Sequence, residues 1–261
     1  MRVGLFGGLK GGLEILTRVE YRSHIMAISG DDFGAILDAL FDAERAARDA
    51  HRDFTEGDLS EVVPVLERAT REALALEAED EEESSLRLVR IAAILGDLEG
   101  ARVVDLLIDI LGAADVETRQ AAGVALSGLA FDRFKEVAVG IERALTRLPS
   151  GSPALPELPY LLIEIPEPGV NKLLARFLAH SSADAVAAAV EAMVEIGDPS
   201  GLPLLEPLSG DARRVQLEDE NGQEGDASIG ELVAEAQTIL GGGKPAGKPG
   251  PAAGKPRKGI S

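Results

Sequence analysis

Histidine and cysteine build most metal sites and many nucleophilic sites, and this chain offers few of either. It has three histidines, His24, His51 and His180, and no cysteine. The histidines lie far apart in the sequence, and none is followed by glutamate. The composition therefore excludes disulfides and thiolate metal sites, and no histidine spacing predicts a metal centre.

Two further catalytic motifs are missing from the sequence. The glycine cluster GLFGGLKGG is not a phosphate-binding loop, because Lys10 is followed by Gly11 rather than Ser or Thr. No G-x-S-x-G nucleophile elbow occurs. Acidic pairs are abundant, but spacing alone nominates no general acid and base. We therefore predict a non-enzymatic protein without a cofactor or metal.

The charge of the chain is large and unevenly distributed. The formal net charge is −19, yet residues 241–261 carry five basic residues and no acid, so the remainder carries −24. Such a body repels nucleic acid and anionic lipid, whose binding relies on Lys and Arg. Aromatic residues make up only 3% of the chain, which disfavours a base-stacking platform. We expect a protein partner with a basic patch, and no nucleic acid on the folded body.

An acidic run at residues 77–83 is the first candidate binding site. It is either a solvated loop or frayed helix end, or a docking patch for a basic partner. The lysines of the C-terminal segment are a second candidate set, although the composition favours a plain solubilising or linker tail. The candidate partner-binding residues are Glu79, Asp80, Glu81, Glu82, Glu83, Lys244, Lys248, Lys255 and Lys258.

Apolar residues at helical spacing predict paired helices along most of the chain. The stretch GDLEGARVVDLL at residue 96 returns as GDPSGLPLLEPL at residue 197. Between them, the second helix of each pair is predicted to end at Gly96, Ala130, Pro166 and Gly197. Those intervals are 34, 36 and 31 residues, a period typical of an α-solenoid. The predicted helices are 32–53, 59–76, 86–95, 101–111, 116–130, 134–148, 154–165, 170–179, 183–196, 201–208 and 227–240.

The repeats resemble HEAT-like repeats, particularly the short bacterial, PBS-lyase type, whose second helix reads roughly V-R-x-x-A-x-x-A-L-x-x-I-G. The resemblance covers residues 57–240 and is strongest in 97–130 and 168–208. Residues that fit the pattern are Thr118, Arg119, Ala122, Ala125, Leu126, Leu129, Ala130, Ala185, Ala189, Ala192, Met193, Ile196 and Gly197.

The resemblance implies an all-α fold, a right-handed superhelix of about five helix pairs with the second helices on its concave face. It implies a structural bond between Asp115 and Arg119. It also implies a scaffold that binds a protein through this acidic concave face. The alternative is an enzyme accessory or a lyase-like protein that handles a chromophore. Iron-binding and base-flipping members of the family use His-Glu pairs or aromatic and basic residues, which argues against those activities here.

The last helix pair is interrupted by residues 209–227. Val215, Leu217 and a turn at residues 220–223 predict a small β-hairpin, since Asn-Gly suits a type I′ turn. The segment is either a flexible insertion or a hairpin that caps the domain or contacts a ligand. Arg213 and Arg214 beside it are candidates for a local anion contact.

The two ends of the chain differ from the repeat domain, which we predict to span 31–240. Residues 1–30 are Gly-rich and poorly structured; either Met26 is the true start and 1–25 an upstream extension, or the segment packs on the first helix. Residues 241–261 have the composition of a disordered basic tail. No apolar run is long enough to cross a bilayer and no signal peptide is apparent, so we expect a cytoplasmic protein. The oligomeric state is left open.

Overall fold

The computed structural model describes residues 30–163, 165–218 and 224–242. Regular structure in these residues is helical except for two strands that pair with each other. The prediction of an all-α protein is therefore confirmed. The chain divides into two units, residues 1–54 and 55–261, and each is described by itself.

Helix α1 (Gly30–Thr55) is the described part of the first unit. It confirms the predicted helix at 32–53. Its large apolar side chains recur every three or four residues, so they lie on one side of the helix. They are about half exposed: Phe33, Ile36, Leu37, Leu40 and Phe41.

The second unit is a succession of helices joined by short loops, with one hairpin near its end. One helix, α5, is kinked at Arg133, whose φ of −138° and ψ of 49° are not helical. The elements are α2 (Leu59–Leu76), α3 (Glu81–Gly96), α4 (Ala101–Leu111), α5 (Val116–Arg147), α6 (Ala154–Glu157), α7 (Val170–Leu178), α8 (Ala183–Ile196), α9 (Leu202–Leu205), β1 (Arg214–Glu218), β2 (Glu224–Ser228) and α10 (Ile229–Leu240), with 3-10 turns at Tyr160–Leu162, Pro199–Gly201 and Glu206–Leu208.

The elements pack on their neighbours in chain order. We call α2, α4, residues 134–147, α7 and residues 202–208 the first helices, and α3, residues 116–132, residues 154–162, α8 and α10 the second helices. Each first helix contacts the next first helix, and each second helix contacts the next second helix. The two helices of a pair also contact each other, as α2 contacts α3 and α7 contacts α8.

The core is built from aliphatic side chains, and Phe177 is its one fully buried aromatic ring among the described residues. Helix α4 is buried on most of its circumference, so helices must cover it on several sides. Small residues allow this approach. A Cβ on Gly140 would overlap Val104 of α4, and a Cβ on Gly96 would lie 3.1 Å from Ala125 Cβ.

Prolines shorten the predicted helix at 154–165. The structure has a single turn of α-helix at Ala154–Glu157 and a 3-10 turn at Tyr160–Leu162. Pro156 and Pro159 lack the N–H that a continuous helix would use. Leu155, Leu158 and Leu162 are nevertheless fully buried, so the segment fills the place of a second helix without being a regular one.

The predicted hairpin is confirmed. Strands β1 and β2 are antiparallel, with Val215 opposite Ala227, and Val215 is buried. The predicted turn at residues 220–223 lies outside the described residues. Strand β2 leads directly into α10, where Ser228 and Glu231 form a reciprocal capping box.

The predictions for residues 1–29 and 243–261 lie outside the described residues. Among the helices that are described, none combines the length and hydropathy needed to cross a bilayer.

The close approach at Gly140 predicts opposite effects for two Gly→Ala substitutions. Gly140→Ala forces a methyl group against Val104 and should lower the free energy of unfolding by about 1–3 kcal/mol. Gly128→Ala, at an open helical position, should raise it by up to about 1 kcal/mol. Urea unfolding followed by circular dichroism measures both. Stabilisation by both substitutions would contradict the packing described here.

Candidate functional site

A groove of about 1100 Å³ lies beside the start of α3. Helices α2 and α3 form its walls together with the loop before α5. Four of the five acidic candidates, Asp80, Glu81, Glu82 and Glu83, line it; Glu79 lies in the preceding turn. The other lining residues are Ala69, Glu72, Ser85, Leu86, Arg87, Val89, Arg90, Ile91, Asp115 and Glu117.

The acidic run at residues 77–83 forms a turn as far as Asp80 and then the first turn of a helix. Helix α3 begins at Glu81, five residues before the predicted start, and the Asp80 carboxylate accepts a hydrogen bond from Glu83 N at 3.1 Å. Carboxylates in a first helical turn are favoured by the positive end of the helix dipole. Glu83 also pairs with Arg87 at 2.7 Å. The run is therefore an ordered negative surface at one end of the groove.

An exposed apolar side chain lies next to these carboxylates. Leu86 is 68% exposed and lies one helical turn after Glu82, on the same side of α3. Val89, half buried, lies close by on the same helix. The groove thus combines negative charge with apolar surface, a combination suited to a segment that carries both basic and apolar side chains.

A second groove, of about 500 Å³, lies between residues 116–132 and 154–165. Phe131 at its edge is 72% exposed, and Val116 is 56% exposed. The Tyr160 hydroxyl donates a hydrogen bond to Glu191 Oε2 at 2.6 Å. Two effects raise the pKa of Tyr160 well above its usual value: burial of the ring is the larger, and the hydrogen bond to the Glu191 carboxylate is the second. Tyr160 is therefore a neutral hydrogen-bond donor that links the groove to α8.

Asp115 stands at the boundary of the first groove as the N-cap of α5. Its carboxylate accepts hydrogen bonds from Thr118 N at 2.8 Å, Thr118 Oγ1 at 2.9 Å and Ser85 Oγ at 2.8 Å. These hydrogen bonds lower the pKa of Asp115 below its usual value, and the bond from the Thr118 backbone has the largest effect. The cap also joins α5 to α3, since Ser85 belongs to the preceding second helix.

The direct Asp115–Arg119 bond implied by the resemblance is replaced by other contacts. Arg119 Nη1 donates to the carbonyl oxygens of Ala113 at 3.1 Å and Ala114 at 2.6 Å, in the loop before the helix. Its Nε lies 4.0 Å from Glu157 Oε1 of the next second helix. Thr118 donates two hydrogen bonds to the Asp115 carboxylate, and Arg119 binds the backbone of the loop instead.

Ion pairs connect successive first helices on the opposite side of the pairs. Arg102 of α4 binds Glu67 of α2 at 2.7 Å, and Arg143 binds Asp105 of α4 at 2.9 Å. Arg147 binds Asp109 at 2.6 Å in the same way. These partners are 35 or 38 residues apart in the sequence, which is one repeat.

The remaining candidates are arginines beside the hairpin and lysines of the tail. Arg213 binds Asp211 and the carbonyl oxygens of His180 and Ser181, and Arg214 binds Asp226. Both guanidinium groups are therefore paired with carboxylates of this chain, which argues against the predicted contact of Arg213 and Arg214 with an anion. The lysines lie outside the described residues: Lys244, Lys248, Lys255 and Lys258.

Sequence reasoning missed the exposed apolar residues. Leu86, Val124 and Phe131 occur in helices whose apolar pattern was assigned to the core, yet they are between 68% and 75% exposed. Val124 and Phe131 are seven residues apart and share one side of their helix. Both residues lie away from the side of the helix that carries the buried residues, and this spacing could have indicated their exposure. In the described part of the chain, no cluster of His, Asp and Glu is arranged to hold a metal ion.

The comparisons with known proteins add little to this picture. No protein-family model and no curated protein match the sequence. A crystal structure described as an engineered protein is 20% identical, with 76% of this chain and 90% of that chain covered, and a TM-score of 0.32. Likeness at that level carries no argument about fold or function. The HEAT-like resemblance therefore stays a prediction from the sequence.

The Asp115 cap predicts a pH-dependent loss of stability in one variant. Asp115→Ala should lower the free energy of unfolding by about 1 kcal/mol at neutral pH, because three hydrogen bonds are lost. Because the pKa of Asp115 is lower in the folded state, its ionised carboxylate stabilises the folded state at pH values above the pKa of the unfolded state. This stabilisation is lost as the pH falls through the pKa of the folded state. The difference between wild type and variant should therefore shrink below about pH 4.

Urea unfolding at neutral and acid pH measures this difference, with exposed Asp132→Ala as the control. An Asp115→Ala effect that is unchanged at low pH would show that charge does not contribute to the cap.

Proposed function

We propose that this protein is a non-enzymatic scaffold that binds a protein partner through the second helices of an α-solenoid. The observation that carries the proposal is the first groove, which Asp80, Glu81, Glu82 and Glu83 line together with the exposed Leu86. The alternative that the resemblance raises, an enzyme accessory or lyase-like protein, stays a prediction.

The contacts between helices support a solenoid. Among the described elements, first helices contact the next first helix and second helices the next second helix, and ion pairs between first helices repeat at intervals of one pair. A stack of about five pairs with this connectivity is expected to curve into a right-handed superhelix. The second helices then form its concave face, and the first helices its convex face.

The charges are sorted between the two rows of helices. The first helices carry as many basic as acidic residues, and ion pairs such as Asp105–Arg143 join them. On the second helices the acidic residues far outnumber three arginines, Arg87, Arg90 and Arg119. These acidic residues are Glu81, Glu82, Glu83, Glu117, Asp132, Glu157, Asp184, Glu191, Glu195, Glu231 and Glu235.

This surface favours a partner segment with Lys or Arg beside large apolar side chains. The carboxylates would steer a basic segment to the surface and raise the rate of association. Leu86 and Phe131 would supply the apolar contacts on which affinity depends more strongly. Salt should therefore weaken the encounter without abolishing the apolar contribution.

Charge-neutral variants of the full chain test the groove. Glu81→Gln/Glu82→Gln/Glu83→Gln should reduce partner recovery from native cells roughly tenfold at low salt, because steering is lost. The matched control Glu61→Gln/Glu142→Gln/Glu206→Gln changes the net charge equally on first helices and should have little effect. Equal losses in both variants, or none in either, would contradict binding in this groove.

Apolar variants test the second component of the groove. Leu86→Ser should reduce recovery at both low and high salt, whereas Val139→Ser, an exposed apolar residue on a first helix, should not. Repeating the capture with and without residues 241–261 measures what the basic segment contributes. Full recovery of the partner by Leu86→Ser would exclude the apolar contact.

A further inference from the structure

Residues 243–261 follow the last helix directly and are the basic part of an otherwise acidic chain. From Gly241 onward the sequence has five basic residues and no acidic one, whereas the remainder carries −24. Two of these basic residues, Arg257 and Lys258, lie next to Ile260. Basic side chains beside a large apolar one are the combination that the first groove favours. The segment is therefore a candidate occupant of that groove within the same chain.

The surface beside the start of this segment is also negatively charged. Helices α8 and α10 carry five acidic residues and no basic one. Asp184, Glu195 and Glu235 among them are exposed. Neither helix has a basic residue in its last turn, where the negative end of the helix dipole favours a cation. A basic segment that leaves α10 therefore lies in a favourable field from its first lysine, Lys244, onward.

The segment is long enough to extend from α10 to the first groove. The second helices contact each other in the order α10, α8, residues 154–162, residues 116–132 and α3. Four helix spacings of about 8–10 Å thus separate α10 from α3, a distance of about 32–40 Å. Lys255 and Ile260 lie 13 and 18 residues beyond Gly242. At about 3.1 Å per residue, the rise of an extended proline-rich chain, they reach about 40 Å and about 56 Å.

Covalent attachment makes weak contacts sufficient for this binding. A single exposed ion pair contributes little to stability. A segment of the same chain, however, is present at an effective concentration in the millimolar range, whatever the concentration of the protein. Several basic side chains acting together, with Ile260 against the exposed Leu86, are then enough to populate the bound state.

We propose that residues 243–261 bind along the second helices of the same chain and place Arg257, Lys258 and Ile260 in the first groove. The basic side chains pair with the carboxylates at the start of α3, and Ile260 contacts Leu86. The segment thereby competes with a partner for the groove, so that a partner must displace it. This regulation rests on the proposed function of the groove, whereas the contact within the chain does not.

Distances between two spin labels on the full chain, which has no cysteine, test the contact. One label is attached at Ala78→Cys, an exposed position two residues before Asp80, and the other at Ser261→Cys. At low salt the distance should be short and its distribution narrow. At about 1 M salt the distribution should broaden, because charges are then screened beyond about 3 Å.

Variants of the groove show which residues hold the segment. Glu81→Gln/Glu82→Gln/Glu83→Gln should broaden the distribution at low salt, whereas the control with three Glu→Gln substitutions on first helices should not. A broad distribution in the unsubstituted groove would overturn the proposal. A short distance that disappears when labelled chains are diluted with excess unlabelled chain would also overturn it, because the segment would then bind a second copy.

Partner capture tests the regulation separately. Neutralising the segment should raise partner recovery from native cells severalfold at low salt, because the competitor is weakened. The variant is Lys244→Gln/Lys248→Gln/Lys255→Gln/Arg257→Gln/Lys258→Gln. Lower or unchanged recovery would overturn the regulation. Recovery of no partner by either chain would contradict the proposed function and the regulation with it, whereas the spin-label distance still decides whether the segment occupies the groove.

Discussion

The packing of this protein depends on one constraint: its helices have more apolar surface than one partner can cover. Helix α4 shows this most clearly, because Val104, Leu107, Ile108 and Ile110 point in different directions and are all fully buried. Its pair partner, the preceding first helix and the following segment must each cover one side. Burial of such side chains contributes about 1.5–3 kcal/mol each, so a pair of helices alone would lose much of its stability. Consecutive packing follows from this requirement.

The same constraint determines where charge and function can be placed. Close contacts such as Gly140 against Val104 leave no room for charged side chains between the helices. Charged residues are therefore confined to the outer sides, where first helices exchange ion pairs with their neighbours. The second helices carry few basic residues, and most of their carboxylates are exposed, as are Leu86 and Phe131. Function on such a scaffold depends on surface residues that the core does not specify.

Apolar periodicity predicts the helices and the Asn-Gly turn predicts the hairpin, but similar sequences at two loops fold differently. Gly197 adopts a left-handed φ of 69° and Asp198 caps the next turn, because Pro199 is suited to the first position of a helix. At the matching position Gly96 ends α3 without that conformation, and Asp97 is a C-cap. The acidic groove was predictable in its charged residues. Its apolar part was not, because spacing alone does not separate an exposed Leu86 from a buried Leu88 on the same helix.

Distances between spin labels on the second helices test the consecutive stack most directly. The cysteine-free chain allows labels at Leu86 paired in turn with Glu157, Glu195 and Glu235, all on exposed or half-exposed positions. Neighbouring helices lie about 8–10 Å apart, so the three distances should increase in that order, by roughly one helix spacing at each step. Distances that do not increase with separation along the chain would show that the pairs are not stacked in order, and would contradict the account.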